Sequence, residues 1–212
     1  SPRLQHHVLY ASESSPTMEQ LASDPFMSQV SHASHMVQLL GTKDVSQEEL
    51  VKRLKTQLSH SDGIRGFFVT YLTLESGADA PADLDEVPLP LVTAMKESNQ
   101  EELIPLACMN VVMPTATSSM HTDSALSAAS RKTAERGLKV IRSLLKESDA
   151  AKDHCKAIYC ATVAELKEKE HHANTLDRFD AEKVKFWRSF FEKYEYKEQQ
   201  LNDIRVIFLE LV

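Results

Sequence analysis

The stretch DHCKAIYC, residues 153–160, sets a histidine beside one cysteine and a second cysteine five positions on. Imidazole and thiolate are the ligands of structural zinc, so the spacing is the first thing to test. On a helix five residues turn through about 500°, which leaves Cys155 and Cys160 roughly 140° apart. Ligands of one tetrahedral ion must converge, and these diverge. Cys155 instead joins Ile158, Tyr159, Thr162, Val163 and Leu166 in a mostly apolar stripe, so it is expected in the core.

Three other groupings carry chemical side chains. His32 and His35 stand at i, i+3, a spacing that suits a shared metal, but no acid falls on the same face nearby to complete the set. Glu168 and His171 form half of the Glu-x-x-His pattern of a di-iron bundle, whose second copy is missing. Ser118, Ser119, His121 and Asp123 are the residue types of a hydrolytic triad, without the nucleophile elbow that would expose the serine. No phosphate loop, dinucleotide fingerprint or H-E-x-x-H motif is present. No catalytic residue, metal or cofactor is therefore assigned.

The elements that must position these side chains read as helices. The 212 residues are 42% hydrophobic and 26% charged, enough for one domain with its own core. Five glycines are too few for a fold of many tight turns. Asp24 as N-cap before Pro25 opens a helix that closes on Gly41. Ser46 and Glu49 form a capping box ahead of Leu50, Leu54 and Leu58. Ile64, Phe67, Phe68, Tyr71 and Leu72 repeat at helical spacing despite their strand-favouring types. A short helix follows over LVTAMKES, and another from Asn99 to Pro114 with a kink at Pro105. Then come a Ser/Thr-rich bridge, a helix over 124–147, one from Ser148 or Asp149, and a last one from Asp180 that extends towards Leu211.

The fold expected is all-α, an irregular bundle or array of about seven to eight helices. HEAT-like packing is compatible with it, although no repeat of ~33–45 residues is present. Residues 1–16 read as a tail and 17–212 as one helical domain with an acidic loop at 75–90. That loop holds three prolines and five acids with no base, and like-charge repulsion should extend it. The acid-poor, Ser-rich start resembles the remnant of a transit peptide, for which a plastid is one destination.

Charge and composition narrow the function. A net charge of −7 disfavours nucleic acid as a partner. The longest nearly apolar run, IPLACMNVVM, is about half of what a membrane span needs. Three cysteines without framework spacing suggest a reducing, intracellular setting. Six of the 14 aromatic residues fall between Phe186 and Tyr196, and Trp and Tyr favour surfaces that are apolar on one side and wet on the other.

The function expected is a non-catalytic helical module, an adaptor, assembly or regulatory factor that binds another protein. Trp187, Arg188, Phe191 and Tyr194 would make the contact, with Asp83, Asp85 and Glu86 as an electrostatic guide. The terminal IRVIFLELV, seven of nine residues aliphatic or Phe, would be swallowed by the core or would join a second copy as a homodimer. The alternative is a carrier or sensor of an apolar small molecule between helices, lined by IPLACMNVVMP and FFVTYL, with Cys108, Met109 and Met113 facing core or ligand.

Overall fold

The computed structural model describes residues 15–42, 44–75, 77, 80–166 and 180–212, and every regular element among them is an α-helix. In chain order these are α1 (Met18–Ser23), α2 (Phe26–Gly41), α3 (Gln47–Gln57), α4 (Ser61–Thr73), α5 (Leu89–Lys96), α6 (Gln100–Met120), α7 (Ser124–Leu145), α8 (Asp149–Glu165), α9 (Ala181–Lys193) and α10 (Glu198–Leu209). The all-α expectation holds. Two helices exceed the expected count, because Thr17 and Gln20 close a capping box on the short α1 and because the C-terminal helix breaks.

That break is a Schellman turn. The Glu195 amide donates to the Glu192 carbonyl (3.0 Å) and the Tyr196 amide to the Phe191 carbonyl (3.1 Å). Such a turn needs a left-handed residue, and Glu195 fills the place with φ 53°. The Tyr196 ring folds back towards Phe191, which is the apolar contact that accompanies this cap.

The N-terminal half is knotted by buried amides. Gln29 on α2 donates through Nε2 towards the carbonyls of Gln20 (3.0 Å), Leu21 (3.1 Å) and Asp24 (3.1 Å), which close the C-terminal end of α1. Gln57 at the end of α3 donates in turn to the carbonyl (2.9 Å) and side-chain oxygen (3.1 Å) of Gln29. Both glutamines are fully buried, so each bond replaces one that water would have made. Across this knot α4 meets α2 at Gly66, where an added Cβ would lie 2.7 Å from Gln29 Cβ.

Asp24 does not cap α2 as expected. Pro25 takes the N-cap place, and the Asp24 carboxylate pairs with His32 Nε2 at 2.8 Å. At α3 only half of the capping box forms: the Glu49 amide donates to Ser46 Oγ (3.2 Å), while the Glu49 carboxylate turns to Arg53 (2.7 Å).

The helix expected to stop at Pro114 runs on to Met120. Proline lacks the amide that would bond the Asn110 carbonyl four residues back. α7 covers that place with Gly137, so close that an added Cβ would sit 2.9 Å from the Asn110 oxygen. At 21 residues α6 is long and apolar enough to cross a membrane by length and composition, unlike the ten-residue run read from sequence. Its residues Leu103, Ile104, Ala107, Cys108, Val111, Val112 and Ala116 lie in the core cluster, packed with α4, α7, α8 and α10.

Candidate functional site

The acidic loop is not held out by repulsion. Arg136 on α7 is only 3% exposed and forks onto Asp83, Nε to Oδ1 at 2.8 Å and Nη2 to Oδ2 at 2.9 Å. Its third nitrogen, Nη1, donates to the carbonyls of Leu72 and Leu74 (both 2.8 Å), the open end of α4. Lys132 adds a contact to Asp83 Oδ2 at 3.3 Å, and Lys139 donates to the carbonyls of Asp83 (3.2 Å) and Leu84 (2.7 Å). The buried Tyr71 hydroxyl donates to the Pro81 carbonyl at 3.1 Å, and burial pushes that phenol above its ordinary range. Hydrogen bonding to the Arg136 guanidinium holds the Asp83 carboxyl well below the usual carboxylate range. The bases that the loop lacks come from one face of α7, about fifty residues on.

Asp83 is therefore a structural anchor, spent inside the chain and not offered as a guide to a partner. Asp85 and Glu86 are exposed. They stand at the rim of a groove of about 600 Å³ between this segment, α5 and α7. Val87, Leu89 and Val92 form its apolar side, and Lys139, Arg142 and Lys146 its basic side. Leu89 is 65% exposed although it lies at the start of a helix whose Leu91, Ala94 and Met95 are buried. Lys96 and Glu147 close one end as an ion pair at 2.5 Å.

The aromatic stripe divides between core and surface. Trp187 is 0% and Phe191 2% exposed, so neither side chain has surface to give a partner. They stack into the wall that α9 presents to α8, with Trp187 edge-on to Phe190 at 5.5 Å. Arg188 pairs with Glu165 at 2.6 Å, which ties α9 to the end of α8. Tyr194 stays partly exposed at the Schellman turn, against Phe190 (4.7 Å) and beneath Lys193. Of the four expected contact residues, only Arg188 and Tyr194 reach the surface.

His154 is the residue whose role sequence reasoning missed. The Trp187 indole N–H donates to its Nδ1 at 3.2 Å, between buried side chains. Burial first, and Lys183 second, lower the His154 pKa to about 4, so the ring is neutral at pH 7 with its proton on Nε2. The signal was its place beside Cys155, on the side of α8 that α9 covers.

The remaining chemical groupings resolve into structure. Cys108, Cys155 and Cys160 are all buried free thiols. Contact with the Cys155 thiol raises the Cys108 pKa, and burial raises that of Cys160, so neither is an activated thiolate. His32 is occupied by Asp24, the acid missed on the sequence, and His35 Nε2 by Ser15 Oγ at 2.6 Å. Asp123 caps α7 through the amides of Ala125 (2.7 Å) and Leu126 (3.1 Å). Ser118 and Ser119 donate to the carbonyls of Thr115 (2.8 Å) and Ala116 (3.1 Å), within the last turns of α6 and not in a linker. These four residues form no triad. Glu168 and His171 lie outside the described residues. Among the described residues no three His, Cys, Asp or Glu side chains are grouped to hold a metal ion.

The terminal run splits along its helix. Ile204 and Phe208 enter the core, whereas Val206, Leu209 and Val212 are exposed. IPLACMNVVMP and FFVTYL pack into the core through Ile104, Cys108, Phe67, Phe68 and Tyr71, with Met109 partly buried against it and Met113 facing outwards.

No curated protein and no solved structure matches the chain. Residues 25–210, which take in every helix from α2 to α10, match the family described as Uncharacterised conserved protein UCP020893, and the chain belongs to that family.

Proposed function

We propose that the protein is a non-catalytic helical interaction module that receives a segment of another protein in the groove between the 80–89 segment, α5 and α7. The observation that carries this reading is the exposure of Leu89 in a groove that Lys139, Arg142 and Lys146 also line, Arg142 reaching Glu210 at 3.5 Å with side chains that both stay exposed. An apolar anchor beside a row of bases suits an amphipathic segment with apolar residues on one face and acids on the other. The segment that borders the groove is tied to α7 and α4 by the Arg136–Asp83 fork just before it. Asp85 and Glu86 on the rim would set orientation by repelling acids from that side.

The test is a photo-crosslinking residue at position 89 in the full chain, with position 27 on the exposed part of α2 as control. A single protein should cross-link at 89 and not at 27. Arg142→Glu with Lys146→Glu should abolish the adduct while helicity is unchanged. Equal cross-linking at both positions, or an adduct indifferent to the charge reversals, would end the proposal.

A further inference from the structure

A second cleft, of about 440 Å³, lies towards the N-terminal end of α7, where the C-terminal half of α6, the N-terminal half of α7 and α10 meet. Its lining mixes one acid, one base and three hydroxyls with two aliphatic side chains.

Thr115 is the unusual member. Hydroxyl residues inside these helices spend their protons on their own backbone, as Thr56, Thr73, Thr117 and Ser118 do at 2.7–2.9 Å. Thr115 is 4% exposed, and its hydroxyl oxygen is buried without a hydrogen-bond partner among the described residues. A buried hydroxyl left so is expensive unless something occupies the cleft it lines. Its neighbours in the cleft are oppositely charged. Arg131 enters no ion pair among the described residues. Asp203 accepts from Gln199 through Oδ1 at 2.8 Å, which leaves Oδ2 for another donor. Ser118 and Ser119 have donated their protons to backbone carbonyls, and Ser119 Oγ accepts from Gln200 Nε2 at 3.5 Å, so their remaining lone pairs are what they offer the cleft. Val206 and Ile207 supply the apolar wall.

These groups select a class of ligand by exclusion. A simple anion would gain Arg131 but face Asp203, and a simple cation would meet the reverse. A molecule with both charges satisfies both, and an aliphatic body covers Val206 and Ile207. We infer that the cleft binds a small aliphatic zwitterion, an α-amino acid of the leucine type. Its carboxylate meets Arg131 and the Thr115 hydroxyl, and its ammonium meets Asp203 and the serine oxygens. This site is independent of the partner groove.

The probes are L-leucine, 4-methylpentanoate, which lacks the ammonium, and 3-methylbutylamine, which lacks the carboxylate. Each is titrated into the full chain and followed by calorimetry and by ligand-observed NMR. Leucine should saturate below about 10 mM, with each half-ligand at least about tenfold weaker. Asp203→Asn should weaken leucine about tenfold and leave 4-methylpentanoate unweakened, and Arg131→Gln should give the mirror pattern with the amine. Thr115→Val removes a hydroxyl that nothing in the empty protein uses. It should therefore raise thermal stability without ligand while weakening leucine. Failure of leucine to saturate, equal binding of the half-ligands, or charge variants that weaken all three probes alike would each overturn the assignment.

Discussion

Arg136 holds both carboxylate oxygens of Asp83 at 2.8 and 2.9 Å while capping the Leu72 and Leu74 carbonyls with its remaining nitrogen. One side chain thus joins three pieces of chain, α4, the acidic loop and α7. Removing either partner strands the other: Asp83→Asn or Arg136→Met should each destabilise the fold by about 3 kcal/mol. The double variant should lose less than the sum of the singles, and a denaturant-based double-mutant cycle measures the difference. The Asp83 pKa is depressed in the fold, so its contribution is complete above the ordinary carboxylate range and is lost as pH falls below it.

His154 sets a second pH window. Its folded pKa of about 4 lies below the ordinary 6.5, so the unfolded chain takes up the proton first. Stability is full above pH 6.5 and declines as pH falls from there to 4, by on the order of 3 kcal/mol. His154→Phe should flatten this limb and leave the lower one due to Asp83. Trp187 is the sole tryptophan, so its fluorescence should follow the His154 limb.

The close helix crossings rank the glycines. An added Cβ would lie 1.8 Å from the Gln57 carbonyl oxygen at Gly63, and 2.9 Å from the Asn110 oxygen at Gly137. Gly63→Ala should cost more than about 4 kcal/mol or prevent folding, since backbone cannot yield, and Gly137→Ala should cost about 1–3 kcal/mol. At Gly77 nothing lies within 4 Å, so Gly77→Ala should leave the melting temperature unchanged or slightly raised.

Glu195 occupies a left-handed position that glycine fills without strain. Glu195→Gly should therefore stabilise the protein by about 1 kcal/mol, read as a shift of the urea midpoint at constant slope. A loss of stability would mean that the Glu195 side chain contributes more than its backbone strain removes.

Much of the helical architecture was legible because caps and apolar spacing are local. Ser148 and Asp180 cap α8 and α9 where expected, with Oγ and Oδ1 accepting from amides three and two residues on. The FFVTYL segment is a helix because its Ile64, Phe67, Phe68 and Tyr71 spacing outweighed strand-favouring residue types. The break after Lys193 was not legible, since Glu195 belongs to no class that marks a left-handed turn. Nor was the path of α6 through Pro114, where Gly137 from another helix packs against the Asn110 carbonyl.

The all-α class, most helix starts and the core role of Cys155 follow from neighbours within a turn or two, and so could be read along the chain. Where the polar groups went was settled by contacts between distant helices. Asp83 found Arg136 across fifty-three residues, His154 found Trp187 across thirty-three, and Gln29 found Gln57 across twenty-eight. A charge or amide announces that it needs a partner when buried, but its spacing along the chain says nothing of which distant one it meets. For the same reason Trp187 and Phe191, apt for a surface by residue type, became core, and the exposed apolar anchor proved to be Leu89.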